Sequence, residues 1–276
     1  MVLPIPTLDH VVVNVRDRMD EAFALYGRLG FTLTPRGYHT LGSINHLAMF
    51  GTDYLELIGA PACLTERTDI LGWPEGLNGL VWGTEDAAAL HATLAAAGIP
   101  AQPPGRFSRP VALPDGVSRD AAFGTVRLPN DTTSAGWLYF CQHFTRDLVW
   151  RDEWRRHANG AIGVEAALIG AARPERLGNL FRRMFGAEAV LPIEGGLRLA
   201  VGLARFDILR PDFLARRLGP AAPDAAGREE YMAALALRST KLDAASIRVD
   251  GVINDAARLL VPAAQTMGVA LEFTPA

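Results

Sequence analysis

The sequence predicts an α+β protein assembled from repeated β-α-β-β-β units. Stretches with period-2 alternation and stretches with period-3.6 patterning follow one another in a recurring order. Two apolar strand-like stretches, 8–15 and 53–58, each carry one ionisable side chain at an inward position, His10 and Glu56. At 276 residues the chain is long for a single core and suits two domains.

The first unit opens with strand 8–15 and continues into a helix at about 19–29. Ala22, Leu25, Tyr26 and Leu29 share one face of that helix, and Gly30 stops it. Strands are expected at 31–34, 44–50 and 54–58. The second unit begins at 77–82; Thr84 caps a helix through Ala97, ended by Gly98 and Pro100. Residues 99–130, rich in proline, glycine and arginine, read as partly loop with a strand at 121–128, and 137–141 closes the unit.

Residues 144–160 mix aromatics with charges and break the strand pattern, placing the junction between domains at 1–147 and 148–276. Trp150 and Trp154 predict a packed connection there, because exposed tryptophans in a tether invite aggregation. A third unit follows: strand 162–169, then a helix opened by Pro174 whose Leu177, Leu180, Phe181, Met184 and Phe185 form a buried face, ended by Gly186. Strands near 189, 197–201 and 205–209 complete it. The fourth unit runs through 232–237, a helical stretch near 244–249, and strands 257–261 and 269–273. Residues 210–230 read as a surface loop.

Composition narrows the function. Hydrophobic residues at 49% and charged residues at 21% describe a folded globular chain, and a net charge of -3 offers no basic face for nucleic acid or an anionic membrane. Two cysteines, Cys63 and Cys141, far apart in sequence, indicate neither a disulfide framework nor a paired-cysteine zinc site. With no secretory leader pattern and no apolar run of about 20 residues, the expected location is the cytoplasm. A Gly-rich phosphate loop, a serine nucleophile elbow and a His-Glu-x-x-His helix are all missing from the sequence.

A histidine and a carboxylate on neighbouring strands are what a divalent metal needs. With Leu8-Asp9-His10, Gly42-Ser43-Ile44-Asn45, Tyr54-Leu55-Glu56-Leu57 and the junction from Cys141-Gln142-His143 to His157-Ala158-Asn159-Gly160 in view, the chain resembles the vicinal oxygen chelate superfamily, in particular its bacterial glyoxalase-like domain proteins. That resemblance implies two cupped, incomplete barrels, each made of paired β-α-β-β-β modules, with metal ligands on the first and last strand of each module.

Carried onto this sequence, the resemblance implies His10 and Glu56 as ligands of Mn, Fe, Ni or Zn. The matching places of the second module hold Gly79 and Tyr139, and His46 or His143 is expected to complete the shell, with His39 in a nearby loop. Asn45, Trp82, Trp137, Tyr139, Arg106 and Arg109 are expected to bind substrate, and Arg106 and Arg109, with Arg119 and Arg127 of the same segment, can pair with an anionic group. Glu56, displaced from the metal, would serve as general base. Asp207, Glu272 and Glu165 mark a degenerate second half. Two functions follow: a metal-dependent lyase, isomerase or dioxygenase acting on vicinal oxygens, or a metal-free protein that binds and sequesters a small molecule. A homodimer is compatible with either.

Overall fold

A computed structural model describes residues 3–113, 116–255 and 257–276. Pro114 and Asp115, inside the expected 99–130 loop, lie outside the described residues. The first module comprises β1 (Leu8–Arg16), α1 (Met19–Arg28), β2 (Gly37–Tyr38), β3 (Ile44–Met49) and β4 (Tyr54–Gly59), followed by the short α2 (Thr68–Leu71). The second comprises β5 (Gly76–Gly83), α3 (Ala87–Ala96), β6 (Gly105–Ala112), β7 (Ser118–Arg127) and β8 (Trp137–His143). The third has β9 (Ala161–Ala171), α4 (Pro174–Phe185), β10 (Val190–Ile193), β11 (Gly196–Val201) and β12 (Ala204–Leu209), and is followed by α5 (Pro211–Leu218). The fourth has β13 (Glu230–Ser239), β14 (Ile253–Asn254), β15 (Leu259–Val261) and β16 (Ala270–Pro275).

These strands form two eight-stranded sheets, β2-β3-β4-β1-β5-β8-β7-β6 and β10-β11-β12-β9-β13-β16-β15-β14. In both, the first strands of two modules pair antiparallel at the centre, and each pairs in parallel with the fourth strand of its own module. First and fourth strands of both modules therefore lie side by side, so their inward residues share one concave face. The first sheet curls until its edges meet: the Thr40 N–H donates to the Ser108 carbonyl at 3.0 Å, joining the segment after β2 to β6.

Helices α1 and α4 pack between the sheets, and one apolar core runs through both halves. Trp82 of β5 is fully buried there, 5.8 Å from Phe181, 5.3 Å from Phe185 and 6.0 Å from Phe206. The Tyr26 hydroxyl of α1 donates to the Thr266 carbonyl of the second half at 3.2 Å. The junction is packed: His157 accepts the Thr32 N–H at 3.0 Å and donates to the Met49 carbonyl at 2.9 Å, while Asn159 donates to the Leu29 carbonyl at 2.9 Å.

Several local expectations shift. Residues 31–34 form no strand and the edge strand is β2; Thr34 bonds β3 at one residue, its N–H donating to the Leu47 carbonyl and its hydroxyl accepting the Leu47 N–H, both at 2.9 Å. Helix α3 is capped by Asp86, whose carboxylate accepts the N–H groups of Ala88 and Ala89 at 2.9 Å, and Thr84 instead supports that cap. Segment 99–130 contributes the full strand β6, and the expected helix at 244–249 is only a 3-10 turn, Ala244–Ser246. Most informative, 210–230 is no plain loop. Its α5 inserts Leu214 and Leu218 against Ala166, Leu168, Ala234 and Ala236, filling the concave face of the second sheet.

Candidate functional site

The concave face of the first sheet stays open. Period-2 alternation sends Tyr54, Glu56 and Ile58 of β4, Tyr139 and Cys141 of β8, and Asn45 and Leu47 of β3 into a cavity of about 40 Å³. On β1 the alternation is interrupted between Leu8 and His10, so Asp9 is an extra residue in the pairing with β5. The bulge keeps Leu8 on the core face with Val11 and Val13, and delivers both Asp9 and His10 to the cavity side.

His10 is the centre of the arrangement. Its Nδ1 lies 2.6 Å from Asp9 Oδ1. Burial alone would raise the Asp9 carboxyl, but hydrogen bonds to His10 and His143 outweigh it and hold Asp9 well below the usual carboxylate range. A carboxylate only accepts, so Nδ1 carries a proton and Nε2 is the ring nitrogen that faces the cavity. Nε2 lies 3.6 Å from Glu56 Oε2 and 3.0 Å from the Tyr139 hydroxyl. Tyr54 stacks on the imidazole, ring centroids 4.4 Å apart.

Glu56 is held from the other side, where Asn45 donates to its Oε1 at 2.6 Å. Asn45 also donates to His39 Nε2 at 3.3 Å, and His39 Nδ1 meets Ser43 Oγ at 2.8 Å. Burial, opposed by Glu56 and reinforced by nearby arginines, pushes the His39 imidazole down to about 4. This layer depends on Gly37: a Cβ there would sit 2.2 Å from Asn45 Oδ1 and 2.9 Å from Arg109 Cδ. Gly37 therefore makes room for both side chains.

Among the described lining residues, one facing pair of donors suits a cation. Imidazole Nε2 and carboxylate Oε2 face each other across 3.6 Å, and two electron-pair donors so placed call for a cation or a proton between them. The second module adds no ordinary ligand. At Gly79 a Cβ would meet Val12 at 2.7 Å, leaving no space for a side chain. Burial pushes the Tyr139 phenol well above its ordinary range, so it stays a hydroxyl rather than a phenolate.

The expected completing residues go elsewhere. His46 lies on the opposite face of β3, with Nδ1 on the Thr34 carbonyl at 2.7 Å and its ring 4.5 Å from Phe23 of α1. His143 does lie on the face of Tyr139, but its Nε2 contacts Asp9 Oδ1 at 3.0 Å, so it meets His10 only through that carboxylate. Asp9, Cys141 and His143 bring one ligand atom each within 4.8 Å of one another, a further place where an ion could sit. Burial pushes the Cys141 thiol well up, which disfavours the thiolate such a site needs.

Of the expected substrate contacts, Asn45, Tyr139 and Arg109 line the cavity. Trp137 sits two residues back on the same face, 6.2 Å from Trp73 and outside the lining. Trp82 faces the core between the sheets, because it alternates with Val81, which takes the cavity side. Arg106 lies 4.4 Å over the exposed Phe144 ring, outside the cavity. Asp9 and Arg67 belong to the site without having been assigned to it; His39 and Arg127, both expected near it, line the cavity, whereas Arg119 is exposed. Only the Asp-His adjacency hinted at Asp9, and strict alternation argued against it.

A family model described as a glyoxalase-like domain matches residues 8–185. No curated protein matches the chain in sequence. Among solved structures, a hypothetical protein from Staphylococcus aureus aligns over 99% of this chain and 100% of its own, at 12% identity and a TM-score of 0.69. A variant of 4-hydroxymandelate synthase from Streptomyces coelicolor aligns over 98% and 92%, at 11% identity and a TM-score of 0.55. A xylose isomerase-like TIM barrel/4-hydroxyphenylpyruvate dioxygenase fusion protein aligns over 99% of this chain and 51% of its own, at 13% identity and a TM-score of 0.58. At these identities the likeness is one of fold.

Proposed function

The chain belongs to the glyoxalase-like domain family of the vicinal oxygen chelate superfamily, and from that membership we propose that its N-terminal cavity is the active site of a metal-dependent enzyme acting on a small oxygen-bearing substrate. The observation that carries this reading is the facing pair, His10 Nε2 and Glu56 Oε2, 3.6 Å apart in a buried cavity. His10 and Glu56 would hold the divalent ion, whose contribution is to polarise substrate oxygens as a Lewis acid.

The protein's own groups do the rest. Asp9 fixes the imidazole tautomer and its orientation. Asn45 turns Glu56 so that Oε2 faces His10, and Glu56, once displaced from the metal, would be the group positioned to take a proton from a substrate carbon or hydroxyl. The Tyr139 hydroxyl, kept protonated by burial, is the donor nearest the same point. Tyr54, Phe107 and Phe123 wall the cavity and limit water.

The metal-free binding reading rests on a separate observation: the Tyr139 hydroxyl already satisfies His10 Nε2, and Gly79 offers no ligand. One experiment separates the two. Turnover of a panel of vicinal dicarbonyls and catechols is measured before and after treatment with a chelator, then after adding back Mn²⁺, Fe²⁺, Ni²⁺ or Zn²⁺. Activity lost on chelation and restored by one ion supports the enzyme. Displacement of an apolar fluorescent probe that is indifferent to chelator, with no turnover under any condition, supports the binding protein and defeats the enzyme.

A further inference from the structure

The two halves differ in how most inward arginines are paired. In the second half four have carboxylate partners: Arg198 donates twice to Asp207, at 2.6 and 2.9 Å, Arg205 meets Glu165 at 2.8 Å, and Arg217 and Arg258 meet Glu272 at 3.0 and 3.2 Å, while Arg228 donates to the Ala225 carbonyl. On the first sheet Arg67 is answered by Asp69 at 2.8 Å. Arg109 and Arg127 are not answered. Among the described residues neither side chain has a hydrogen bond or ion pair, although both line the cavity that holds Glu56.

Arg109 is the sharper case. It is 6% exposed, and its Nε is buried without an acceptor. Arg127 rests 4.4 Å over the Tyr139 ring, which orients the guanidinium while leaving its N–H groups free for a ligand. Burying an unpaired cation costs stability, and replacing it by an apolar residue would remove that cost. Among the described lining residues Arg67, Arg109 and Arg127 stand against the carboxylate of Glu56, so positive charge exceeds negative.

We propose that Arg109 and Arg127 form the anion-recognition side of this cavity and that the natural ligand is a small organic carboxylate. Nε and a neighbouring Nη of one guanidinium match two coplanar oxygens, which a carboxylate presents and an amide does not. Arg109 also borders a second cavity of about 210 Å³ lined by Tyr38, Val111 and Trp154. The proposal deepens the reading that this cavity is the binding site, and it does not require the metal.

The test uses the full chain, as purified and after chelation. Acetate, glycolate and pyruvate are compared with acetamide, glycolamide, pyruvamide and inorganic phosphate by ligand-observed NMR and thermal shift. Carboxylates should bind with or without metal, the amides more weakly. Arg109→Gln should weaken carboxylate binding roughly 10- to 100-fold, whereas Arg106→Gln, on the surface beside Phe144, should leave it unchanged. Arg109→Met should raise the ligand-free melting midpoint while removing the carboxylate response, which separates lost recognition from lost folding.

Equal affinity for acids and amides, wild-type binding by Arg109→Gln, preference for phosphate, or no binding by any probe would overturn the proposal. Carboxylate binding in a protein that takes up no metal would defeat the metal-dependent reading and leave this one intact. Metal uptake without discrimination between acid and amide would do the reverse.

Discussion

His10 and Glu56 were legible from the sequence because each stands at a fixed parity within an apolar strand, and parity in a strand is a statement about direction. Asp9 was not, since its arrival beside His10 depends on a one-residue bulge that alternation cannot express. Arg109 was legible as a candidate anion ligand, but its lack of a partner is a property of the assembled cavity. These side chains support two expected outcomes. Asp9→Asn should weaken divalent-metal affinity by about 10- to 100-fold, measured by titration of the chelated protein, while the fold persists. His46→Ala should leave metal affinity unchanged and cost about 1–2 kcal/mol of stability through the lost bond to Thr34 and the lost contact with Phe23. Loss of metal affinity in His46→Ala would show that β3 presents its other face to the ion.

The strands themselves were easy to read where both faces are buried, as in β1, β4 and β5, and hard to read at the edges. Strand β6 carries two arginines and a proline and lies at the sheet edge, so its pattern resembled a loop; β2 has two residues and no pattern to read. Helix α5 was hidden because eight residues give only about two turns in which to show a period, yet Leu214 and Leu218, four residues apart, plug the second sheet. Leu214→Ala should therefore cost about 2–4 kcal/mol by denaturant unfolding.

At the turn before β4, burial pushes the Asp53 carboxyl up to about 6, partly opposed by the Val164 N–H it accepts at 2.9 Å. The folded chain then holds this proton more tightly than the unfolded chain. Its contribution to stability is full at low pH and falls as pH rises from about 4 through 6. Asp53→Asn should remove that loss, gaining about 1–2 kcal/mol at pH 8 and little at pH 4. Denaturation midpoints at the two pH values decide it: an equal effect at both would mean that Asp53 does not titrate in this way.

The whole molecule is a fourfold repeat with one open cup. Repetition was legible from the order of elements alone. The contact between halves was not legible, because Trp82 carries the same apolar signature whether it faces a cavity or another sheet. Its position against Phe181, Phe185 and Phe206 joins the two sheets into one core. Trp82→Ala should cost about 3–5 kcal/mol.

The most direct measurement is metal stoichiometry, by inductively coupled plasma mass spectrometry, on untagged wild-type protein equilibrated with Mn²⁺, Fe²⁺, Ni²⁺ or Zn²⁺ and then desalted. A cation seated between His10 and Glu56 predicts about one ion per chain, lost in both His10→Ala and Glu56→Ala and retained in His46→Ala. Wild-type protein that retains none of these ions, or retains one equally well in His10→Ala and Glu56→Ala, would contradict it.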